Sequence, residues 1–294
     1  MYLTHVARRE AKLLSILRQE LGMSSGLVKR LKYAGAYSVN GVAVHTDFPV
    51  KIGDFVRVCL DEPTPVYPAE EGRLDIVYED DFLIALDKPA GMLVHPSSAR
   101  NTGTLANRLT AYYQRTGQAS AVHPVSRLDR DTFGLVLLAK NAHVHAKMNA
   151  LSKAGSLEKT YHALVFGCPP EQEGLLDAPI ARKEPPSLLR CIRDDGKPSR
   201  TAYRVLEVRQ VDGGPAVTKL QLRPLTGRTH QLRIHCAHFG FPILGDPQYG
   251  TGASQAWSLS RGLTHQQLCA VSLSFPHPMT AAPVTLRSHM DVGL

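Results

Sequence analysis

Several things are scarce in this sequence, and each scarcity removes a class of answer. No apolar run approaches the ~18 residues of a membrane-spanning helix. The opening MYLTHVARRE holds no apolar core of the kind a secretory signal needs. Cysteine is sparse and odd in number: Cys59, Cys168, Cys191, Cys236 and Cys269 are scattered, with no Cys-x-x-Cys pair. A disulfide framework is thereby excluded, and free thiols in a reducing compartment are expected, hence a cytoplasmic protein. Convincing glycine-rich phosphate loops are missing, as are internal repeats and low-complexity tracts. Acidic residues are outnumbered, 26 Asp and Glu against 34 Lys and Arg, and the resulting net charge of +8 suggests an anionic partner.

What is present suits one large domain, or one large and one small: 294 residues, of which 43% are hydrophobic. Charge divides the chain unevenly. Residues 1–60 carry nine Lys or Arg against four Asp or Glu, so the front is densely basic. The next stretch, DEPTPVYPAEEGR, has three prolines and a negative balance and reads as a linker. The expected division is a front module over 1–60, a linker over 61–73 and a body over 74–294.

In the front module, AKLLSILRQELG places Leu13, Leu14, Leu17 and Leu21 on a helical stripe closed by Gly22. SSGLVKRLKYAG predicts a second helix, capped by Ser24 or Ser25 and stopped at Gly35. Its Leu27, Leu31 and Ala34 share one face, while Lys29, Lys32 and Tyr33 point away. AYSVNGVAVH then predicts a hairpin turning at Asn40–Gly41, and VKIGDFVRV a turn at Gly53–Asp54 followed by a strand. A basic helix face is often only a solvated surface. Taken together, these elements resemble the S-four-like RNA-binding domain. That resemblance implies docking of the second helix on structured RNA, with Lys29, Arg30 and Lys32 as phosphate contacts.

The body mixes its elements. LDIVYED, FLIALDKP, LVLLAK, KTYHALVFG, TAYRVLEV and TKLQLRP read as strands, LVLLAK being apolar enough for burial on both faces. TGTLANRLTAYYQ, AHVHAKMNALSKAG and TGRTHQLRIHCAHFG read as helices, the last closed by Gly240. Without a regular strand–helix–strand repeat, the class is α+β and not a doubly wound sheet.

The most informative stretch is HPVSRLDRDTFGLVLLAKN, His123 to Asn141. Here Asp129 sits on the lip of the buried strand, between Arg127 and the Arg130–Asp131 pair, with Gly134 offering backbone freedom at the strand entry. A carboxylate so placed is partly desolvated, which costs energy unless a cation lies near. Paired in that way it is a usable nucleophile. A plainer role, pairing with Arg130 or capping a turn, fits the isolated residue equally well. LDRDTFG also matches an aspartyl-phosphatase loop, with Asp129 as phosphoryl acceptor, Asp131 as acid–base and magnesium essential. That motif, however, normally follows an apolar strand, whereas here the strand comes after. HQLRIHCAH offers His230, His235, Cys236 and His238 as zinc ligands, but the spacing is loose, and helix packing accounts for them more simply. No metal is expected.

Several segments must be read jointly. SRLDRDTFGLVLLAKN, EKTYHALVFG and RPLTGRTHQLRIHCAHFGFPILGDPQYG occur in that order, with IALDKPAGMLVHP before them and SFPHP after. Over residues 74–287 they closely resemble the RluA-type pseudouridine synthases, with the RNA-binding module in front. The resemblance implies a central mixed, largely antiparallel sheet flanked by helices and loops. It makes Asp129 the catalytic aspartate and Tyr161 the tyrosine against the target base. Arg233 becomes the arginine pairing with Asp129, and Arg127 the arginine that holds the extruded nucleotide or fills its place. Arg228, His230 and Gln231 belong to the same signature and receive a supporting, substrate-binding role. Two positions depart from the family pattern: Ser126 stands where histidine is usual, and Phe133 where a small hydroxyl residue is usual.

The implied reaction isomerises uridine to pseudouridine. The bond from base nitrogen to ribose carbon 1′ breaks, the uracil turns in the pocket, and carbon 5 joins the sugar. No electrons are gained or lost, so no cofactor is implied. The base must first leave the stack, at a cost of roughly a few kcal/mol. Stacking on an aromatic face returns ~1–3 kcal/mol. Asp129 could attack carbon 1′, remove a 2′ proton to give a glycal, or add to the pyrimidine ring; the resemblance favours the glycal route. The expected partner is RNA, ribosomal RNA before transfer RNA, and a monomer is the default. The competing non-enzymatic expectation is an RNA-binding or ribosome-assembly factor.

Overall fold

The structure, a computed structural model, describes residues 1–61, 67–96, 101–184, 187, 189–211 and 214–293. Residues 62–66 of the expected linker lie outside the described residues.

The front sixty residues pack around their own core. Buried Leu3, Leu13, Ile16, Leu17, Val28, Leu31, Val56 and Val58 belong to one cluster. A four-stranded sheet runs Tyr2–Val6, Phe55–Cys59, Tyr37–Val39, Val42–Ala43, antiparallel throughout. The turn at Asn40–Gly41 has positive φ at both residues, 50° and 83°, the geometry that matches strand twist in a tight hairpin. Helix Ser25–Tyr33 is capped by Ser24, whose side chain accepts from the Leu27 N–H, and it stops at Gly35, φ 62°. The first expected helix is corrected. Ala11–Lys12 pairs with Pro49–Val50 as a short ladder, and helical structure covers only Leu13–Ser15 before widening to a π-turn over Ile16–Glu20. Leu13, Leu17 and Leu21 are buried as the stripe requires, while the altered period adds fully buried Ile16 and leaves Leu14 46% exposed.

The body is built on a ten-stranded sheet. Its main path runs Glu173–Asp177, Arg200–Gln210, Ala216–Pro224, Glu158–Phe166, Leu268–Pro276, Phe133–Ala139, Leu83–Lys88, Ile76–Glu79. Every neighbouring pair is antiparallel except Phe133–Ala139 against Leu268–Pro276, so the sheet is mixed and largely antiparallel, as expected. The parallel contact is short, only Phe133 with Cys269 and Gly134 with Ala270. Beyond it, from Ser272 to Pro276, Leu268–Pro276 pairs instead with Pro283–Arg287, so the two halves of the sheet diverge. All seven residues of Phe133–Ala139 are buried.

Helices cover the sheet: Leu105–Arg115, which carries a full capping box at Thr104, then Ala142–Lys153 and Gln231–His238. The main core gathers Ile84 and Leu86 with Val136, Leu138, Ala163, Leu220 and Cys236. Met279 packs against both this core and that of the front sixty residues, and a cleft of about 430 Å³ lies between helices Ser25–Tyr33 and Ala142–Lys153. No helix among the described residues is long and apolar enough to cross a membrane.

Candidate active site

The loop carrying Asp129 is fixed from three directions. Downstream it enters Phe133–Ala139 through Gly134, whose φ is 93°. A Cβ there would lie 2.4 Å from the Ala270 carbonyl oxygen, so only glycine allows the parallel strands to meet at this point. Upstream, the Ser126 hydroxyl accepts the Leu137 N–H at 3.0 Å and the Ser126 N–H donates to the Leu137 carbonyl at 3.2 Å. Ser126 therefore latches the loop to the buried strand. Phe133, the other departure, is buried in a satellite cluster and meets His265 edge-on.

The third hold is Lys88, which is fully buried. Its Nζ donates to the carbonyls of Pro89, Met92 and Arg130 at 2.9, 2.8 and 2.8 Å. Three N–H groups thus meet three carbonyls, one of them in the Asp129 loop. Burial pulls this ammonium down to about 7, opposed by the carboxylates of Asp131 and Asp129.

Arg233 reaches Asp129 from helix Gln231–His238. Its guanidinium is 4% exposed, and Nη1 donates to Asp129 Oδ2 at 3.1 Å. The other edge is held in a fork by Asp246: Nε to Oδ2 at 2.7 Å and Nη2 to Oδ1 at 2.8 Å. Nη2 also donates to Gln248 Oε1 at 2.8 Å, and the plane stands over the Tyr249 ring at 5.0 Å. Asp246 is itself pinned by the Gln248 and Tyr249 N–H groups. Geometry therefore leaves one edge of a rigid cation for Asp129. Burial works against the Arg233 charge, but the two carboxylates reverse this and raise its pKa.

Asp129 keeps 29% of its side chain exposed and lines a cavity of about 990 Å³, within the size range of small-molecule and cofactor sites. Tyr161 lines the same cavity from strand Glu158–Phe166 and is buried. Burial first, and then the Asp129 charge, push its phenol well above the ordinary tyrosine range. At neutral pH it is a hydroxyl, not a phenolate.

His230 precedes the helix with φ 58°, a left-handed conformation that costs a non-glycine residue about 1–2 kcal/mol. Its ring is held by Nδ1 to the Tyr249 hydroxyl at 2.8 Å, and Nε2 lies 3.8 Å from Asp129 Oδ2. Burial lowers its pKa against the pull of Asp129, which favours the neutral ring at neutral pH.

The remaining sequence candidates divide. Arg127 is exposed at the cavity and, among the described residues, forms no hydrogen bond or ion pair. Arg228 is also exposed there, with weak 3.4 Å bonds from Nε and Nη2 to the Pro198 carbonyl. Gln231 differs, being buried with its amide fully occupied. The oxygen accepts from Thr226 Oγ1 and the Arg228 N–H, and the nitrogen donates to the Arg200 carbonyl and Thr201 Oγ1. It lines the cavity and braces the loop of Arg228.

The zinc arrangement does not form. His235 is buried between Thr201 Oγ1 and the Ala178 carbonyl, and Cys236 is in the main core. Among the described residues no three His, Cys, Asp or Glu side chains form a metal-holding group. Nor do the two aspartates of the phosphatase loop work together, since Asp131 is forked onto Arg130 while Asp129 faces Arg233. In the front module, Lys29, Lys32 and Tyr33 are exposed, and Arg30 lines the cleft facing helix Ala142–Lys153.

Asp246, Gln248 and Tyr249 were not singled out from sequence, although they stand in the quoted GDPQYG, and neither was Lys88 in LDKPAG. Each motif was visible, but the partner it serves lies elsewhere in the chain.

Comparison with known proteins places these features in company. A family model described as RNA pseudouridylate synthase matches residues 82–238. An uncharacterized RNA pseudouridine synthase of Bacillus subtilis, YjbO, is 34% identical over 264 residues, 89% of either chain. The ribosomal large subunit pseudouridine synthase C of Vibrio vulnificus is 32% identical over 292 residues, covering 95% of this chain and 89% of its own. Among solved structures, human RNA pseudouridylate synthase domain containing 1 superposes with a TM-score of 0.60 at 25% identity, over 78% of this chain and 94% of that one.

Proposed function

Since this chain belongs to the RNA pseudouridylate synthase family and is an isomerase of that class, we propose that it converts specific uridines of large-subunit ribosomal RNA to pseudouridine, with Asp129 acting on a flipped-out nucleotide. The single observation that carries the catalytic assignment is the Arg233 Nη1 bond to Asp129 Oδ2 at 3.1 Å inside the large cavity. That contact orients the carboxylate at the wall of a cavity that a nucleotide can enter.

The mechanism then follows from the charges present. Asp129 opens the reaction, by attack at carbon 1′ or by taking the 2′ proton to give a glycal; the glycal route is preferred by family resemblance. Arg233, locked by Asp246, holds the carboxylate through the change. Tyr161 lies against the detached uracil. After carbon 5 has joined the sugar, its proton must leave, and a phenol with a raised pKa serves only as a relay to water or to a carboxylate. His230, its pKa lowered by burial and its ring 3.8 Å from Asp129, shares a proton with it.

Binding rests on the cavity's unbalanced charge. Of the cations lining it, Arg233 and Arg223 are answered by Asp129 and Glu158, while among the described residues no carboxylate answers Arg127, Arg228 or Lys159. A polyanion restores the balance. Arg127, exposed at the cavity, is assigned to the extruded nucleotide or to the place it vacates; Arg228 is assigned to the backbone. The front sixty residues are assigned as an S-four-like module with Lys29, Arg30 and Lys32 on phosphates. The ribosomal target is supported by the printed name of the Vibrio relative, whose match spans nearly the whole chain.

The test is a pseudouridine map of total RNA from cells with and without the gene. Loss of one or a few sites in large-subunit ribosomal RNA is the expected result. An unchanged map would overturn the proposal in favour of a non-catalytic RNA-binding role.

A further inference from the structure

Strand Glu158–Phe166 turns alternate residues toward the main core, and that stripe contains one residue that burial alone does not explain. Tyr161, Ala163 and Val165 face the main core. Two residues before Tyr161, about 7 Å back along the strand, the same stripe presents Lys159. The register irregularity beside it does not change this, because the extra residue there is Val271 on the neighbouring strand. Lys159 and Tyr161 both line the large cavity.

An ammonium turned inward is ordinarily matched, as Lys88 is by three carbonyls and Lys140 by Glu79. Among the described residues, the Lys159 ammonium forms no hydrogen bond and no ion pair. Neither carboxylate lining the cavity is available to it. Asp129 is engaged by Arg233, and Glu158 sits on the opposite face of the strand, where Arg223 Nη2 donates to it at 3.1 Å. Burial accordingly pulls the Lys159 ammonium below the ordinary lysine range, with no opposing charge acting on it. A cation left desolvated and unmatched beside the tyrosine that faces the base is costly for the free protein. It becomes favourable once an anion enters the cleft.

We propose that Lys159 binds a backbone phosphate of the RNA adjoining the isomerised uridine, supplying a positioning contact on the cavity wall distinct from the rim arginines. This rests on the RNA-modifying reading of the same cleft. Since Lys159 lies along the strand from Tyr161, a base stacked at Tyr161 would carry its sugar–phosphate past the ammonium. The contact would hold both ground state and transition state, so its loss should act on binding before turnover.

The experiment compares the full-length wild-type chain with Lys159→Met, Lys159→Arg and Lys159→Gln. Met keeps the aliphatic stem and removes the charge; Gln is a second neutral variant in case Met perturbs the fold. Each is titrated with unmodified large-subunit ribosomal RNA transcript across a salt series, and KM and kcat are measured on the same RNA. For the neutral variants, the slope of log affinity against log salt should fall by about 0.7–0.9, the share of one phosphate. KM should rise roughly tenfold with kcat at saturation held, and arginine should restore both slope and KM. An unchanged slope in both neutral variants, or a loss that arginine does not rescue, would overturn the assignment. If the wild type isomerises no uridine in this RNA, the functional proposal fails separately, and the salt slopes still decide Lys159.

Discussion

Replacing Asp246 by asparagine probes how the site is held without touching the reacting groups. In the native chain Arg233 is 4% exposed and gives two of its N–H edges to Asp246, at 2.7 and 2.8 Å. Asparagine is nearly isosteric. Its one oxygen can keep the bonds from the Gln248 and Tyr249 N–H groups and from Nη2. Its NH₂ would then face Arg233 Nε, donor against donor. Removing one partner of a buried ion pair costs about 3–5 kcal/mol, and the lower end applies because Asp129 and Gln248 still contact the guanidinium. A loss of about 3 kcal/mol in a chain of this size lowers Tm by roughly 5–10 °C. The functional effect should be larger than the thermal one suggests. A guanidinium free to tilt no longer fixes Asp129, and a misplacement on the order of 1 Å costs about 10²-fold in rate. Asp246→Asn is therefore expected to lower kcat about 10²-fold with little change in KM, read by scanning calorimetry and multiple-turnover isomerisation. A kcat within about threefold of wild type in a folded variant would refute the claim that Asp246 orients Arg233.

Two further outcomes follow from the same physics. Tyr161→Phe keeps the aromatic face and removes the hydroxyl, so RNA affinity should hold while kcat falls roughly 10²–10⁴-fold. Retained turnover would remove the relay role from Tyr161. His143 sets a pH dependence of stability: it is 4% exposed, and burial, helped by Lys147, lowers its pKa from 6.5 to about 4. Above pH 6.5 both folded and unfolded chains hold it neutral, and its contribution is fully present. As pH falls toward 4 the unfolded chain takes up the proton first, and about 3 kcal/mol of stability is lost across that window. His143→Gln should flatten this part of the urea-midpoint profile relative to wild type. Parallel profiles would show that His143 does not control it.

How much was legible beforehand depended on how locally each feature is encoded. Helix Ser25–Tyr33, with its serine cap and glycine stop, and the Asn40–Gly41 hairpin are written in adjacent residues, and both were readable. So was the buried strand read in LVLLAK, because five consecutive apolar residues have few alternatives to burial; it begins two residues earlier than that, at Phe133, and ends at Ala139. The helix expected from Ala11 starts only at Leu13, because its first two residues are claimed by a ladder to Pro49–Val50, a partner nearly forty residues away. Strands Tyr2–Val6 and Glu173–Asp177 were missed; each pairs with a strand distant in sequence or read from its own segment alone. At the site, residue chemistry alone reached only the statement that Asp129 needs a cation nearby. Naming Arg233 took the family resemblance, and Asp246 escaped notice although it stands beside the same helix in sequence. Gln231, expected in a supporting substrate-binding role, lines the cavity, and its four polar bonds to Thr226, Arg228, Arg200 and Thr201 could not be read from sequence.

The most direct measurement is isomerisation by Asp129→Asn on the RNA identified by the pseudouridine map, with binding measured alongside. The account predicts no detectable pseudouridine, near-native RNA affinity and a cooperative thermal transition. Pseudouridine formed at a rate comparable to wild type by that folded variant would contradict it.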